Sequence, residues 1–178
     1  WWMFRWIGHE AVWVLDGGLG AWKAFGGSLE KGLPNWAPAD FSFHQAHHEW
    51  VVTVQEIPAL LERGSVLLDA RLEGRYHGVS EPIDHAAGHI PGAINYPFIL
   101  NLKSNGQFYE PSVLKEKFVK SLGGKNHDLI AMCGSGVTAC QLLLALKIAG
   151  FADGRLFVGS WSEWIRDPNR PIRVGPDP

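Results

Sequence analysis

One stretch limits what this chain can fold into more than any other: Leu129-Ile-Ala-Met-Cys133-Gly-Ser-Gly-Val-Thr138-Ala-Cys140. An apolar run stops at a cysteine, a Gly-Ser-Gly turn follows, and a helix-forming run from Ala139 to Ala149 ends at Gly150. Short apolar runs closed by glycine read as buried strands. Cys133 is therefore predicted where a strand hands over to a helix, the place where an open α/β sheet puts its ligands. The turn can aim several backbone N–H groups inward, and the helix adds its positive end. A thiol held there is predicted to be acidified and exposed, and hence nucleophilic. The alternative is a buried core cysteine. Glycines on both sides of Ser135 argue against it, because a core cysteine needs no backbone cradle.

The rest of the chain is compatible with such a domain. Of 178 residues, 46% are apolar and 19% charged, enough for a sizeable core. The net charge of -2 gives no reason to expect nucleic acid or an anionic membrane as partner. Two cysteines cannot make a disulfide framework and lack metal-site spacing, which suggests a reducing, cytoplasmic setting. No run reaches the roughly 20 apolar residues of a membrane span. The opening Trp1-Trp-Met-Phe-Arg-Trp-Ile is no signal peptide; it reads as the interior of a longer chain.

In order, residues 1–7 read as a helix end stopped by Gly8, Ala11–Leu15 as a buried strand, and Gly20–Phe25 as a short helix. From Leu33 to Trp50 the chain turns Pro- and His-rich. It reads as a linker packed through Trp36, Phe41 and Phe43, with His44, His47 and His48 solvated rather than metal-binding. A complete domain begins near Val51. Thr53 and Glu56 form a candidate capping box for a helix to Arg63, with Pro58 pushing its start later. Val66–Asp69 and Ala93–Tyr96 are predicted strands, and Pro111–Leu122 an amphipathic helix burying Leu114, Phe118, Val119 and Leu122. Arg155–Val158 is the last strand, a short helix follows from Ser160, and residues 167–178 form a Pro-rich tail. Alternating strands and helices imply an α/β fold with a parallel sheet covered on both faces. Val14–Trp22 also aligns with Phe157–Trp164, Gly17 on Gly159, so residues 1–32 read as the end of an earlier copy, 33–50 as linker and 51–166 as the complete domain.

Four motifs carry a resemblance: Asp69-Ala-Arg71 with Gly74-Arg75-Tyr76, Gly88-His-Ile-Pro-Gly-Ala-Ile-Asn95, Cys133-Gly-Ser-Gly-Val-Thr-Ala139, and Gly159-Ser-Trp-Ser-Glu-Trp164. Together they resemble the rhodanese superfamily, and within it the two-domain thiosulfate and mercaptopyruvate sulfurtransferases. The resemblance implies a rhodanese-like three-layer α/β fold. It also implies a non-catalytic first domain that ends in residues 1–32 and contacts the second. Cys133 would then carry sulfane sulfur as a persulfide from a small anionic donor to a thiol or cyanide. Gly134, Ser135, Gly136, Val137 and Thr138 would form the active loop, with hydroxyl donors on Ser135 and Thr138. Arg75 would bind the donor's anionic end, and no metal or organic cofactor is implied. Arg71, His89 and Trp161 read as structural. The neutral Gly134-Ser135 pair resembles mercaptopyruvate enzymes. Ile83, however, stands where those enzymes carry a second arginine, and Val158 where an acidic or small residue is usual.

Three rivals are weighed against this. A phosphatase loop needs an arginine at the sixth position after the cysteine, where Ala139 stands. A non-catalytic binding module would not need Cys133 in a full loop. A redox sensor needs a resolving thiol, and Cys140 is predicted to face the core.

Overall fold

Five short strands build one parallel sheet in the computed structural model, which describes residues 1–42, 46–123 and 128–178. They are β1 (Val51–Val52), β2 (Val66–Asp69), β3 (Ile94–Asn95), β4 (Leu129–Met132) and β5 (Arg155–Phe157). Their order is β1-β5-β4-β2-β3, so the strand carrying the cysteine lies at the centre. Helices α1 (Trp2–Trp6) and α2 (Gly18–Ala24) precede the sheet, and α3 (Ile57–Glu62), α4 (Glu73–Tyr76), α5 (Pro111–Leu122), α6 (Val137–Ile148) and α7 (Ser160–Trp164) are interleaved with it. No described helix is long and apolar enough to cross a membrane.

The sheet separates two cores. Leu129, Ala131 and Cys133 face a cluster with Leu114 and Phe118 of α5 and Leu142 and Leu146 of α6. Ile130 and Met132 face the other, with Ile57, Tyr76, Phe157, Trp161 and Trp164. Both faces of β4 are therefore covered, which is why its sequence shows no polar alternation. Each fully buried side chain of this size contributes about 1.5–3 kcal/mol. The same period of two decides the fate of the cysteine: Cys133 continues the Leu129–Ala131 face into the core.

The bounds of β2, β4 and α5 agree with the sequence reading; β1 was not foreseen. Pro111 opens α5 and left-handed Gly123 (φ 67°) closes it. Leu114, Phe118 and Leu122 are buried, but Val119 at the edge of the stripe stays exposed. Helix α3 begins at Ile57 with Pro58 in its first turn. Glu56 accepts from both the Thr53 amide (2.8 Å) and the Thr53 hydroxyl (2.6 Å), so only the backward half of the capping box forms. Helix α6 starts at Val137, two residues earlier than expected, because Gly136 (φ 83°) ends the turn.

Other expectations are corrected. Ala11–Leu15 is not a strand; Trp13, Val14 and Leu15 are exposed, and no described strand pairs with them. Trp1–Ile7 forms the expected helix end and packs on the domain through one face. Trp2 is buried in the α5/α6 core, and Arg5 lies between the rings of Trp1 and Trp50 (5.1 Å each) while reaching Asp153 at 3.3 Å. Trp36 is exposed rather than packed, whereas Phe41 meets Phe4 and His9 edge-on. Phe43 and His44 lie outside the described residues. The 167–178 segment runs against the domain: Arg173 and His89 exchange backbone hydrogen bonds of 2.8 and 2.9 Å, and the Gly175 amide donates to His77. In the aligned repeat, Gly18 (φ 59°) and Ser160 (φ 53°) are both left-handed and each sits at the start of a helix carrying Trp. A strand precedes only the second.

Candidate active site

The loop after β4 is held from below by the segment that opens α7. The Ser160 hydroxyl donates to the Phe157 carbonyl (2.9 Å) and its oxygen accepts the Cys133 amide (3.1 Å). The Trp161 amide donates to the Cys133 carbonyl (3.0 Å) and the Ser162 amide to the Gly134 carbonyl (2.9 Å). Cys133 is thus tied down on both sides of its α-carbon. Ser160 occupies a left-handed backbone position that a non-glycine residue adopts only against a steric cost.

Above these anchors the loop leaves its donors unused. None of the N–H groups from Gly134 to Ala139 donates to another described group. Gly136 makes this shape possible, since a Cβ there would lie 2.9 Å from the Val158 carbonyl oxygen at a φ of 83°. Gly136→Ala is expected to cost about 1–3 kcal/mol. A urea denaturation midpoint checks it; a wild-type value would remove the steric argument.

Cys133 itself is only 2% exposed, contrary to the predicted exposed thiol. Its strand parity puts it under the loop, not on top of it. Cys140 is half-buried and lines an apolar cavity of about 340 Å³ with Trp1, Trp2 and Val137. Burial, and then the nearby Cys133, push its thiol up to about 11. That is unsuited to resolving an oxidised partner at neutral pH. Ser135 is exposed and Thr138 half-buried beside the loop.

Arg75 lies across Gly134: a Cβ on that glycine would meet its Nη2 and Nη1 at 3.2 and 3.3 Å. Nε pairs with Glu81 (2.8 Å) and Nη2 with Asp84 (3.0 Å), while Nη1 meets no acceptor among the described residues. Asp84 in turn lies 2.8 Å from the Ser162 hydroxyl, which is also 2.8 Å from the Gly134 carbonyl. Burial works against Glu81 ionising, yet hydrogen bonds from Arg75 and from the Asp84 and Ile83 amides outweigh it and hold its carboxyl below the usual range. The sign follows. A depressed carboxyl lends stability that is complete above its ordinary value of 4.5 and is lost as pH falls through the folded value. Urea midpoints are therefore expected to be level from neutral pH to about 5 and to fall below it. A midpoint that rises on acidification would contradict this.

Arg71 is structural. It is buried against Asp69 (2.6 Å), donates to the Gly88 carbonyl (2.7 Å) and lies over the Trp161 ring (4.4 Å). His89 stacks on Tyr76 at 3.8 Å, with its ring nitrogens facing the Tyr76 and Asp177 carbonyls. Trp161 is buried and donates to the Ala86 carbonyl (2.8 Å).

The family model described as a rhodanese-like domain matches residues 53–167, the span holding the sheet, the Cys133 loop and its anchors. The chain belongs to the rhodanese family. Its rhodanese domain has curated relatives. A Pseudomonas aeruginosa protein named "Probable 3-mercaptopyruvate sulfurtransferase" is 47% identical over 178 residues, 98% of this chain and 62% of that protein. The human 3-mercaptopyruvate sulfurtransferase is 39% identical over 92% of this chain and 56% of its own length. Rat thiosulfate sulfurtransferase is 35% identical over 98% and 60%. The chain thus spans about three-fifths of the length of these relatives. Among solved structures, the anaerobic ergothioneine biosynthesis enzyme from Chlorobium limicola superposes with a TM-score of 0.85 over 97% of this chain and 44% of that one; at 24% identity it shows the shared fold.

Around the rhodanese loop, tertiary structure gathers Cys133, Gly134–Thr138 and Arg75, all named from sequence. Ser160, Ser162, Glu81 and Asp84 were missed as site residues. For Ser160 one signal existed: Gly18 stands at its place in the repeat, and glycine marks a left-handed position. The other three join the site through contacts that no local spacing encodes.

Proposed function

We propose that this rhodanese domain transfers sulfane sulfur through a persulfide on Cys133. The observation that carries the reading is the row of unused N–H groups from Gly134 to Ala139 directly following a cysteine whose own amide and carbonyl are pinned. Such free donors can stabilise the anionic sulfur of a persulfide formed on Cys133. The Cys133 thiolate attacks the donor's outer sulfur and an S–S⁻ group forms on Cys133. The bonding pair leaves with pyruvate enolate from mercaptopyruvate, or with sulfite from thiosulfate. Relatives bearing both substrate names support the donor class. Small neutral residues after the cysteine favour mercaptopyruvate.

Arg75 is proposed to take the donor's anionic end through its free Nη1, with Glu81 and Asp84 fixing its plane. Arg75→Ala is expected to raise KM for mercaptopyruvate about tenfold with a smaller change in kcat. An unchanged KM would move the anchoring role to the loop amides. Residues 1–32 are proposed to belong to a first, non-catalytic domain, with 33–50 as linker and 51–166 as the catalytic unit. Exposed Trp13, Val14, Leu15 and Phe25 support a contact surface there. Two free cysteines fit a cytoplasmic setting. Cyanolysis of the donor-loaded protein tests the reading: thiocyanate is expected, and none from either donor would favour a non-catalytic module.

A further inference from the structure

We propose that the groove beside the loop, between β1 and the start of α7, seats the sulfur acceptor, and that it fits a small thiol carrying both an ammonium and a carboxylate group. This rests on the persulfide reading above and adds the second substrate to it. Ser135 and Val158 form a ridge between two cavities. On one side is the apolar cavity walled by Trp1, Trp2 and Met3, where a charged molecule would lose its hydration without compensation. On the other is a groove of about 500 Å³ lined by Thr53, Gln55, Ser162, Glu163 and Arg166.

Two opposite charges stand unused in that groove. Among the described residues, the half-buried Glu163 carboxylate accepts no hydrogen bond and meets no cation, and the exposed Arg166 guanidinium meets no acceptor. Gly159 gives the carboxylate its place, since a Cβ there would overlap it. The groove wall is also what grips the cysteine: Ser160, Trp161 and Ser162 bond to Cys133 and Gly134. An ammonium at Glu163 and a carboxylate at Arg166 would hold an amino-acid thiol against the Ser135 side of the loop. Its thiolate attacks the outer sulfur of the Cys133 persulfide. The S–S bond to Cys133 breaks, its electron pair returns to the Cys133 sulfur, and the acceptor leaves as a persulfide; its thiol proton goes to water.

The test compares Glu163→Gln and Arg166→Gln with the wild-type chain, using cyanide, L-cysteine, cysteamine and 3-mercaptopropionate as acceptors. Glu163→Gln is expected to lower kcat/KM for cysteine and cysteamine about tenfold relative to cyanide, and to spare 3-mercaptopropionate. Arg166→Gln is expected to do the same for cysteine and 3-mercaptopropionate, and to spare cysteamine. Wild-type ratios in both variants, or equal losses for all three thiols, overturn the groove. Mass spectrometry of the donor-treated wild type separates the two levels. If Cys133 gains no sulfur, the persulfide reading fails and the groove with it. If sulfur is gained and cyanide removes it while the variants discriminate thiols as the wild type does, the groove alone fails.

Discussion

Cys133→Ser is expected to abolish sulfur transfer, with no sulfur gained on the protein and no thiocyanate formed from either donor. A serine hydroxyl at neutral pH is neither ionised nor soft enough to attack a sulfane sulfur, and no described thiol can replace it: Cys140 is pushed up to about 11 and sits beside the apolar cavity. The fold is not expected to be indifferent to the change. Cys133 is 2% exposed and packs with Ala131 and Ala139, so the new hydroxyl enters an apolar site. A loss of about 1–3 kcal/mol follows, read from a urea midpoint. Residual turnover in the Ser variant would remove Cys133 from the chemistry. Unchanged stability would mean that the hydroxyl finds a partner among the loop amides.

Asp69→Ala is expected to produce the largest loss of stability, about 3–5 kcal/mol, or roughly 10 °C in the thermal midpoint. The carboxylate is wholly buried at the end of β2 and accepts from the Arg71 amide (3.0 Å), Nε (3.0 Å) and Nη2 (2.6 Å). Without it a guanidinium remains inside the protein, held by the Gly88 carbonyl, the Trp161 face and the more distant Glu81 carboxylate. The pair contributes less than this figure suggests, because both charges paid a desolvation cost on folding. Asp69→Asn, which keeps an acceptor, is expected to lose less. Calorimetry of the two variants decides, and a loss under about 1 kcal/mol in Asp69→Ala would show that Arg71 escapes to water. Arg71 Nη1 also lies 3.6 Å from Glu81, so the same change loosens the carboxylate that orients Arg75.

Much of the fold was legible because its signals are local. Pro111 and Gly123 bracket α5, and unbroken apolar runs mark β2 and β4. The failures share a cause. Ala11–Leu15 has the composition of a strand, but a strand exists only through a hydrogen-bonded neighbour, and the described residues offer none. Trp36 looks like an anchor but lies exposed because nothing described packs against it. Hydrophobicity says that a side chain would gain from burial; it does not say that a surface is within reach.

Residue types and their order were enough to read the strand–cysteine–glycine–helix succession around Cys133, the glycines that give the loop its turn, and the family motifs that include Arg75. These depend on backbone conformation and near neighbours, which residue types encode directly. Tertiary structure alone decided that the Cys133 side chain is buried, since its face follows from strand parity against α5 and α6. It alone placed Ser160 under the cysteine and gave Arg75 two carboxylate partners. Those contacts join residues 27, 6 and 9 positions apart, and only the packing of β5 and α7 against β4 brings the first together.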